Sequence, residues 1–156
     1  MGVRKEQKMK PSKQCFELIK KYEGYSGIAY LCPAKVPTIG WGSTMYDNGE
    51  PVKIGDVISK ARAEDLLNYE VRHFADKINR LELGLNQNQF DSIVSLVYNI
   101  GIGAFRKSTI LRLISQNPNS LDIAVQFGRW IYGGGKMLPG LVKRRADEME
   151  LYYKPI

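Results

Sequence analysis

The chain has 156 residues, room for one domain or one domain of two lobes, and its 44% hydrophobic and 25% charged content is ordinary for a globular protein. A formal charge of +7 favours an anionic partner (nucleic acid, a membrane surface or a cell-wall polymer) without choosing among them. Two cysteines, Cys15 and Cys32, make neither a disulfide framework nor a metal cluster, and no apolar run reaches the roughly 18 residues of a membrane span. Both cysteines read as reduced thiols. The basic N-terminus lacks the apolar core of a signal peptide, so delivery outside the cytoplasm would need another agent.

Residues 1–11 are polar and basic and read as a disordered tail. Ser12 is suited to cap a helix running to about Glu23, with Phe16, Ile19 and Glu23 on one face and Gly24 ending it. From Gly24 to about Asp56, Gly, Pro and Asn punctuate short β-type runs at 28–31, 38–41 and 43–46, and Asp47-Asn48-Gly49 is a turn signal. A small antiparallel sheet is expected there. Ser59 opens a long helix to about Leu81, carrying a stripe of Ala63, Leu67, Val71, Phe74, Ile78 and Leu81. Asn86, with Gln89 three residues on, caps a segment that is apolar on most faces and reads as the buried central helix. Further helices are expected from Ser108 to about Gln116, from Ser120 to about Trp130, and from Pro139 to about Tyr153. The predicted fold class is α+β and mostly helical. A small antiparallel β-sheet lobe (about 24–58) is joined by a long helix to a helical lobe (about 82–156), all in one domain over 12–156. The first helix is expected to pack with the second lobe.

Glu23, Cys32 and Thr38 stand at the joint between the first helix and the Gly-rich stretch, with eight residues between the first two and five between the second two. A carboxyl at a helix C-terminus meets the negative end of the dipole, which disfavours its anion. An acid on one side of a cleft and polar groups on a hairpin opposite suit glycosidic cleavage, which protonates a leaving oxygen. By position alone, Glu23 also fits a solvated helix end, Cys32 a small buried apolar residue, and Thr38 a strand threonine. A Cys–His nucleophile finds no support, because the single histidine, His73, lies mid-helix and far along the chain. Asp91 and Glu82 share no common signal. The basic residues are scattered, without the basic stripe and interleaved aromatics of a nucleic-acid binder, and Arg144-Arg145 fit a solvated helix face.

The segment YEGYSGIAYLCPAKVPTIGWGST resembles the phage-type lysozymes of glycoside hydrolase family twenty-four, the T-even and lambdoid endolysins. Their signature is Glu, eight residues, Asp or Cys, five residues, Thr, and Glu23, Cys32 and Thr38 match it without insertion. LNQNQFDSIVSLVYNIGIGAFRKSTILRLI resembles the family's central helix and its successor, and RWIYGGGKMLPGLVKRRADEMELY its closing Trp-to-Arg segment. The resemblance implies a lysozyme-like fold and a muramidase acting on peptidoglycan glycan strands, with Glu23 as general acid and Cys32 and Thr38 holding a water on the opposite face of the sugar. It implies single displacement with inversion, with no metal or cofactor. It also implies a monomer, without nucleic-acid partner or stable membrane insertion, that waits in the host cytoplasm for release through a separate pore protein. Cys32 is the departure from the best-known members, which carry Asp. A neutral thiol offers less charge than a carboxylate, so a lytic transglycosylase on the same polymer stays open, as does a non-catalytic wall-binding module. Asn99 is expected to reach towards Trp130, and Arg144 or Arg145 to pair with Glu23. Tyr30, Trp41 and Phe105 are apolar surface of the cleft or, more simply, packing.

Overall fold

Helix-forming segments dominate the computed structural model, which describes residues 8–156, and the β-rich stretch is the Gly- and Pro-punctuated run after the first helix. The elements are α1 (Lys13–Glu23), β1 (Ser26–Leu31), β2 (Pro37–Gly40), α2 (Lys60–Asn79), α3 (Gln87–Ile100), α4 (Ile102–Arg106), α5 (Thr109–Gln116), α6 (Asp122–Phe127), β3 (Tyr132–Gly133), β4 (Lys136–Met137) and α7 (Pro139–Tyr153). The fold is α+β and mostly helical, as expected, with two small two-stranded antiparallel sheets among the described residues.

Local chemistry accounts for most helix starts. The Ser59 and Ser108 hydroxyls accept from the backbone N–H groups of Arg62 and Leu111. Asn86 and Gln89 form a reciprocal capping box at the head of α3. Ser12 behaves differently. Its side chain caps nothing and instead donates to Asp91 on α3, tying the start of α1 to the central helix. The helix expected from Ser120 is shorter than the sequence suggests, covering only Asp122–Phe127. Two elements escape prediction. The five-residue α4 is too short to show a helical period, and the β3–β4 hairpin depends on Gly134 and Gly135 at positive φ.

In the β-rich lobe, β1 and β2 pair antiparallel, with Tyr30 opposite Thr38 and Leu31 opposite Pro37. The third strand expected at 43–46 does not form; only isolated bridges, Ile39 to Ser43 and Met45 to Pro51, occur there. Gly40 and Gly42, at φ 65° and 83°, turn the chain so sharply that Ser43 folds back onto Ile39. The turn at Asp47-Asn48-Gly49 forms as expected, with the Gly49 N–H donating to the Tyr46 carbonyl. A small core of Ala29, Ile39 and Val52, flanked by Tyr46 and Ile58, holds this lobe.

The main core surrounds α3, on which every residue from Asn88 to Val97 is buried. Cys15 and Ile19 of α1, Leu67, Val71 and Ile78 of α2, Ile110 and Ile114 of α5, Phe127 of α6 and Tyr152 of α7 complete it. Burying each large apolar side chain contributes about 1.5–3 kcal/mol before entropy is counted. As expected, α1 packs with the helical lobe, against both α3 and α7. Asp91, fully buried, accepts from the Ser12 backbone and hydroxyl and from Gln14 and Gln87. Of the tail expected over 1–11, residues 1–7 lie outside the described residues. Met9 is held, its N–H donating to Asn79 and its carbonyl accepting from Asn79, and the Lys10 carbonyl accepts from Gln87.

Candidate active site

An open cleft of about 450 Å³ runs between the lobes and is lined by Glu23 of α1, Gly42 and Met45 of the β-rich lobe, Tyr69, Glu70 and His73 of α2, and Tyr98 and Asn99 of α3. Glu23 reaches it because α1 ends there: Gly24, at φ 67°, donates its N–H back to Lys20 and lets the chain leave the helix. The Glu23 side chain is 21% exposed, and its Oε1 accepts from Arg144 Nη1 at 2.7 Å, a guanidinium only 3% exposed. Its Oε2 lies against Gly42, where a Cβ atom would stand 2.6 Å away. Gly42 is therefore glycine for two reasons, a positive φ and the space the carboxyl takes.

Arg144 is fixed from behind. Its Nε donates to buried Glu148 and its Nη2 to the Ser95 carbonyl. Glu148 also accepts from Arg145 and from the Ser95 hydroxyl at 2.6 Å, so one buried carboxylate faces two guanidinium groups. Arg145 donates in turn to the Trp130 carbonyl and to Asn99. Of the two arginines expected to pair with Glu23, Arg144 does so, with Arg145 serving the network behind it. The expected reach of Asn99 towards Trp130 is corrected: it runs only through Arg145. Nor are these arginines a solvated face, since both are 2% exposed.

Cys32 and Thr38 come together across the β1–β2 connection. Thr38 is buried; its hydroxyl donates to the Val36 carbonyl at 2.9 Å and also engages the Cys32 thiol. A backbone hydrogen bond from Val36, with lesser contributions from the Ala34 backbone and the Thr38 side chain, holds the thiol below its ordinary value. Tyr30 lies within the electrostatic reach of both Glu23 and Cys32; burial first, then those two groups, push its phenol up. The pair lies on the hairpin, outside the residues that line the deeper cleft beyond Glu23. Trp41 and Phe105 are buried and belong to the core, whereas Tyr30 is 38% exposed. His73 is exposed and stacks with Tyr69 at 6.2 Å between centroids. No metal-binding cluster of His, Cys, Asp and Glu occurs among the described residues.

Sequence reasoning passed over Glu70 and Tyr98. Glu70 is largely buried at the cleft, with Tyr98 and Ser43 as hydrogen-bond partners, and burial pushes its carboxyl up. Seven residues after Ala63 and four before Phe74, it sits at the edge of the apolar stripe of α2, a position readable in the sequence, but the pattern does not say that a cleft lies there.

The Phage lysozyme family matches residues 20–148, from the end of α1 into α7. The chain belongs to the phage lysozyme family. It is 40% identical over 147 residues to an endolysin of Bacillus phage PZA, covering 92% of this chain and 55% of that protein, so it spans about half the length of that relative. It is 33% identical over 130 residues to a SAR-endolysin of Enterobacteria phage P21, covering 83% of this chain and 78% of the relative. Among solved structures, an endolysin from Escherichia coli O157:H7 phage FAHEc1 superposes with a TM-score of 0.85 at 34% identity, covering 96% of this chain and 97% of that one. Glu23 closes α1, and Cys32 and Thr38 flank the β1–β2 connection of the β-rich lobe.

Proposed function

We propose that this chain is an endolysin-type muramidase that hydrolyses the β-1,4 bond between N-acetylmuramic acid and N-acetylglucosamine in bacterial peptidoglycan. Glu23 is the general acid, and Cys32 and Thr38 hold the attacking water. The observation that carries the reading is Glu23 itself: a carboxyl at a helix end that lines an open cleft, one oxygen clamped by Arg144 and the other against Gly42. Such a group is oriented by the protein and still reachable by a glycosidic oxygen. The cleft is open to solvent, as a polymer substrate requires, and the +7 charge suits an anionic wall. Release from the host cytoplasm through a separate pore belongs to the same proposal. No helix among the described residues is long and apolar enough to cross a membrane.

A lytic transglycosylase remains the second reading, favoured by one observation: the residue beside Thr38 is a thiol rather than a carboxylate. Glu23→Gln tests the main reading, since it keeps shape and removes the acid. Clearing of purified walls is expected to fall by about 10²–10⁴-fold, the usual contribution of general acid catalysis. Intact cells producing the chain alone should meanwhile stay turbid. Undiminished clearing by the variant refutes the site. Product analysis separates the two chemistries: a reducing-end sugar marks hydrolysis, an anhydro-muramoyl end the transglycosylase. Binding to walls without any cleavage would leave only a wall-binding module.

A further inference from the structure

The cleft contains a second carboxyl that the proposed chemistry leaves unused. Glu70 projects from α2 towards the Tyr98 hydroxyl of α3, 3.0 Å from its Oε2, and has Ser43 as a further hydrogen-bond partner. The same hydroxyl stands 2.7 Å from the carbonyl of Trp41. One phenolic proton thus serves two acceptors, and it joins α2, α3 and the turn at 41–43 at a single point. The middle residue of that turn is Gly42, which lies against Glu23 Oε2. The chain of contact runs from Glu70 through Tyr98 and Trp41 to Gly42 and the Glu23 carboxyl.

We propose that Glu70 and Tyr98 are positioning residues for the Glu23 chemistry, Tyr98 pinning the turn at 41–43 against the Glu23 carboxyl and Glu70 setting a second negative charge behind it. The inference rests on Glu23 as the general acid. The electrostatic part follows from two carboxyls lining one partly desolvated cleft: after burial, Glu23 is among the groups that push the Glu70 carboxyl up, so removing the Glu70 charge changes the field in which the Glu23 chemistry runs. The other groups around Glu23 are Arg144 of α7, which favours the anion, with Arg145 behind it, and the neutral phenols Tyr30 of β1 and Tyr98 of α3. His73 lines the cleft one turn beyond Glu70. Burial and the neighbouring carboxylates push the Tyr98 phenol far up, so it acts as a neutral donor throughout the working range.

The test measures pH–rate profiles on a soluble oligosaccharide of alternating N-acetylglucosamine and N-acetylmuramic acid. Glu70→Gln should keep kcat on the acidic side and KM within about twofold of the parent, and move the alkaline limb to lower pH. Glu70→Asp, which restores the charge, should return the limb towards its original position. Tyr98→Phe should lower kcat about fivefold or more with KM within about twofold, because the ring stays and only the tether is lost. A limb unmoved in Glu70→Gln, or moved equally in Glu70→Asp, overturns the charge role, and an unchanged kcat in Tyr98→Phe overturns the tether. Melting curves of each variant confirm folding. Activity surviving in Glu23→Gln would refute the site reading itself, whereas an inactive Glu23→Gln with an unmoved Glu70→Gln limb overturns this inference alone.

Discussion

Glu23, Cys32 and Thr38 are ordinary residue types whose surroundings make them a site. Glu23 is oriented by Arg144, which is held in turn by Glu148, so a residue 125 positions away in sequence fixes where the proposed acid points. Cys32 is the residue whose chemistry is most exposed to test. Backbone hydrogen bonds, led by that from Val36, favour its thiolate, and the Thr38 hydroxyl beside it supplies a second polar group. A carboxylate offers the same acceptor function, so Cys32→Asp is expected to retain wall clearing. Cys32→Leu removes the acceptor and crowds the water and should reduce clearing at least about tenfold. Full activity in the leucine variant would show that the sulfur holds nothing that matters. The three residues were legible from their spacing and the resemblance it carried. Glu70 and Tyr98 were not, because a polar residue on a helix looks the same in sequence whether it faces solvent or a cleft.

At the scale of elements, the turn between β2 and the rest of the β-rich lobe carries one of the two closest glycine approaches among the described residues. Gly42 combines a φ of 83° with the approach of Glu23 Oε2 to 2.6 Å of a would-be Cβ. Gly42→Ala therefore meets two penalties. The left-handed backbone costs a non-glycine residue about 1 kcal/mol or more, and the methyl displaces a carboxyl already clamped by Arg144. The expected outcome is a folded protein with a slightly lower melting temperature and activity reduced at least about tenfold, since a misplacement of the order of 1 Å is enough. Calorimetry together with wall clearing checks it; a variant as active as the parent would mean that the carboxyl moves freely. The same glycines explain why the expected third strand is absent. The short β-type run at 43–46, set between Gly and Asn, suggested a strand, but pairing needs an extended run, and Gly40 and Gly42 turn the backbone before one can begin. The helices were easier to read, because Ser59, Asn86 and Ser108 announce their starts locally.

For the whole molecule, charge pairs between distant segments set the response to acid. Asp47 is held below the ordinary carboxylate range by its hydrogen bonds to Arg62, Asp147 by Lys21 and then Tyr22, and Asp56 by the Lys53 backbone and then the Tyr46 hydroxyl. A depressed carboxyl contributes stability that is complete above its unfolded value, about 3.9 for Asp, and is lost as pH falls through the folded value. Glu70 has the opposite sign: its raised folded value gives a contribution complete below its unfolded value, about 4.3, and lost as pH rises through the folded one. Melting temperature should therefore be level or rise slightly from about pH 7 to about pH 5, then fall below about pH 4. Circular-dichroism melts across that range check this, and a melting temperature still rising below about pH 3 would contradict it.

What the chain determined by itself was local and periodic. Helix starts, the apolar faces of α2 and α3, and the Glu–Cys–Thr spacing all lie within short windows, where capping and periodicity act without help from the rest of the fold. The tertiary structure alone decided which arginine meets Glu23, that Glu148 holds two guanidinium groups, that Asp91 anchors α1 to α3, and that Glu70 and Tyr98 face the cleft. Those outcomes depend on which surfaces become buried together, and burial turns a solvated charge into one that must find a partner. Most of these pairings join residues tens of positions apart, so no window of sequence contains both sides; Arg144 and Arg145 lie within four residues of Glu148, but only burial makes that carboxylate their shared partner.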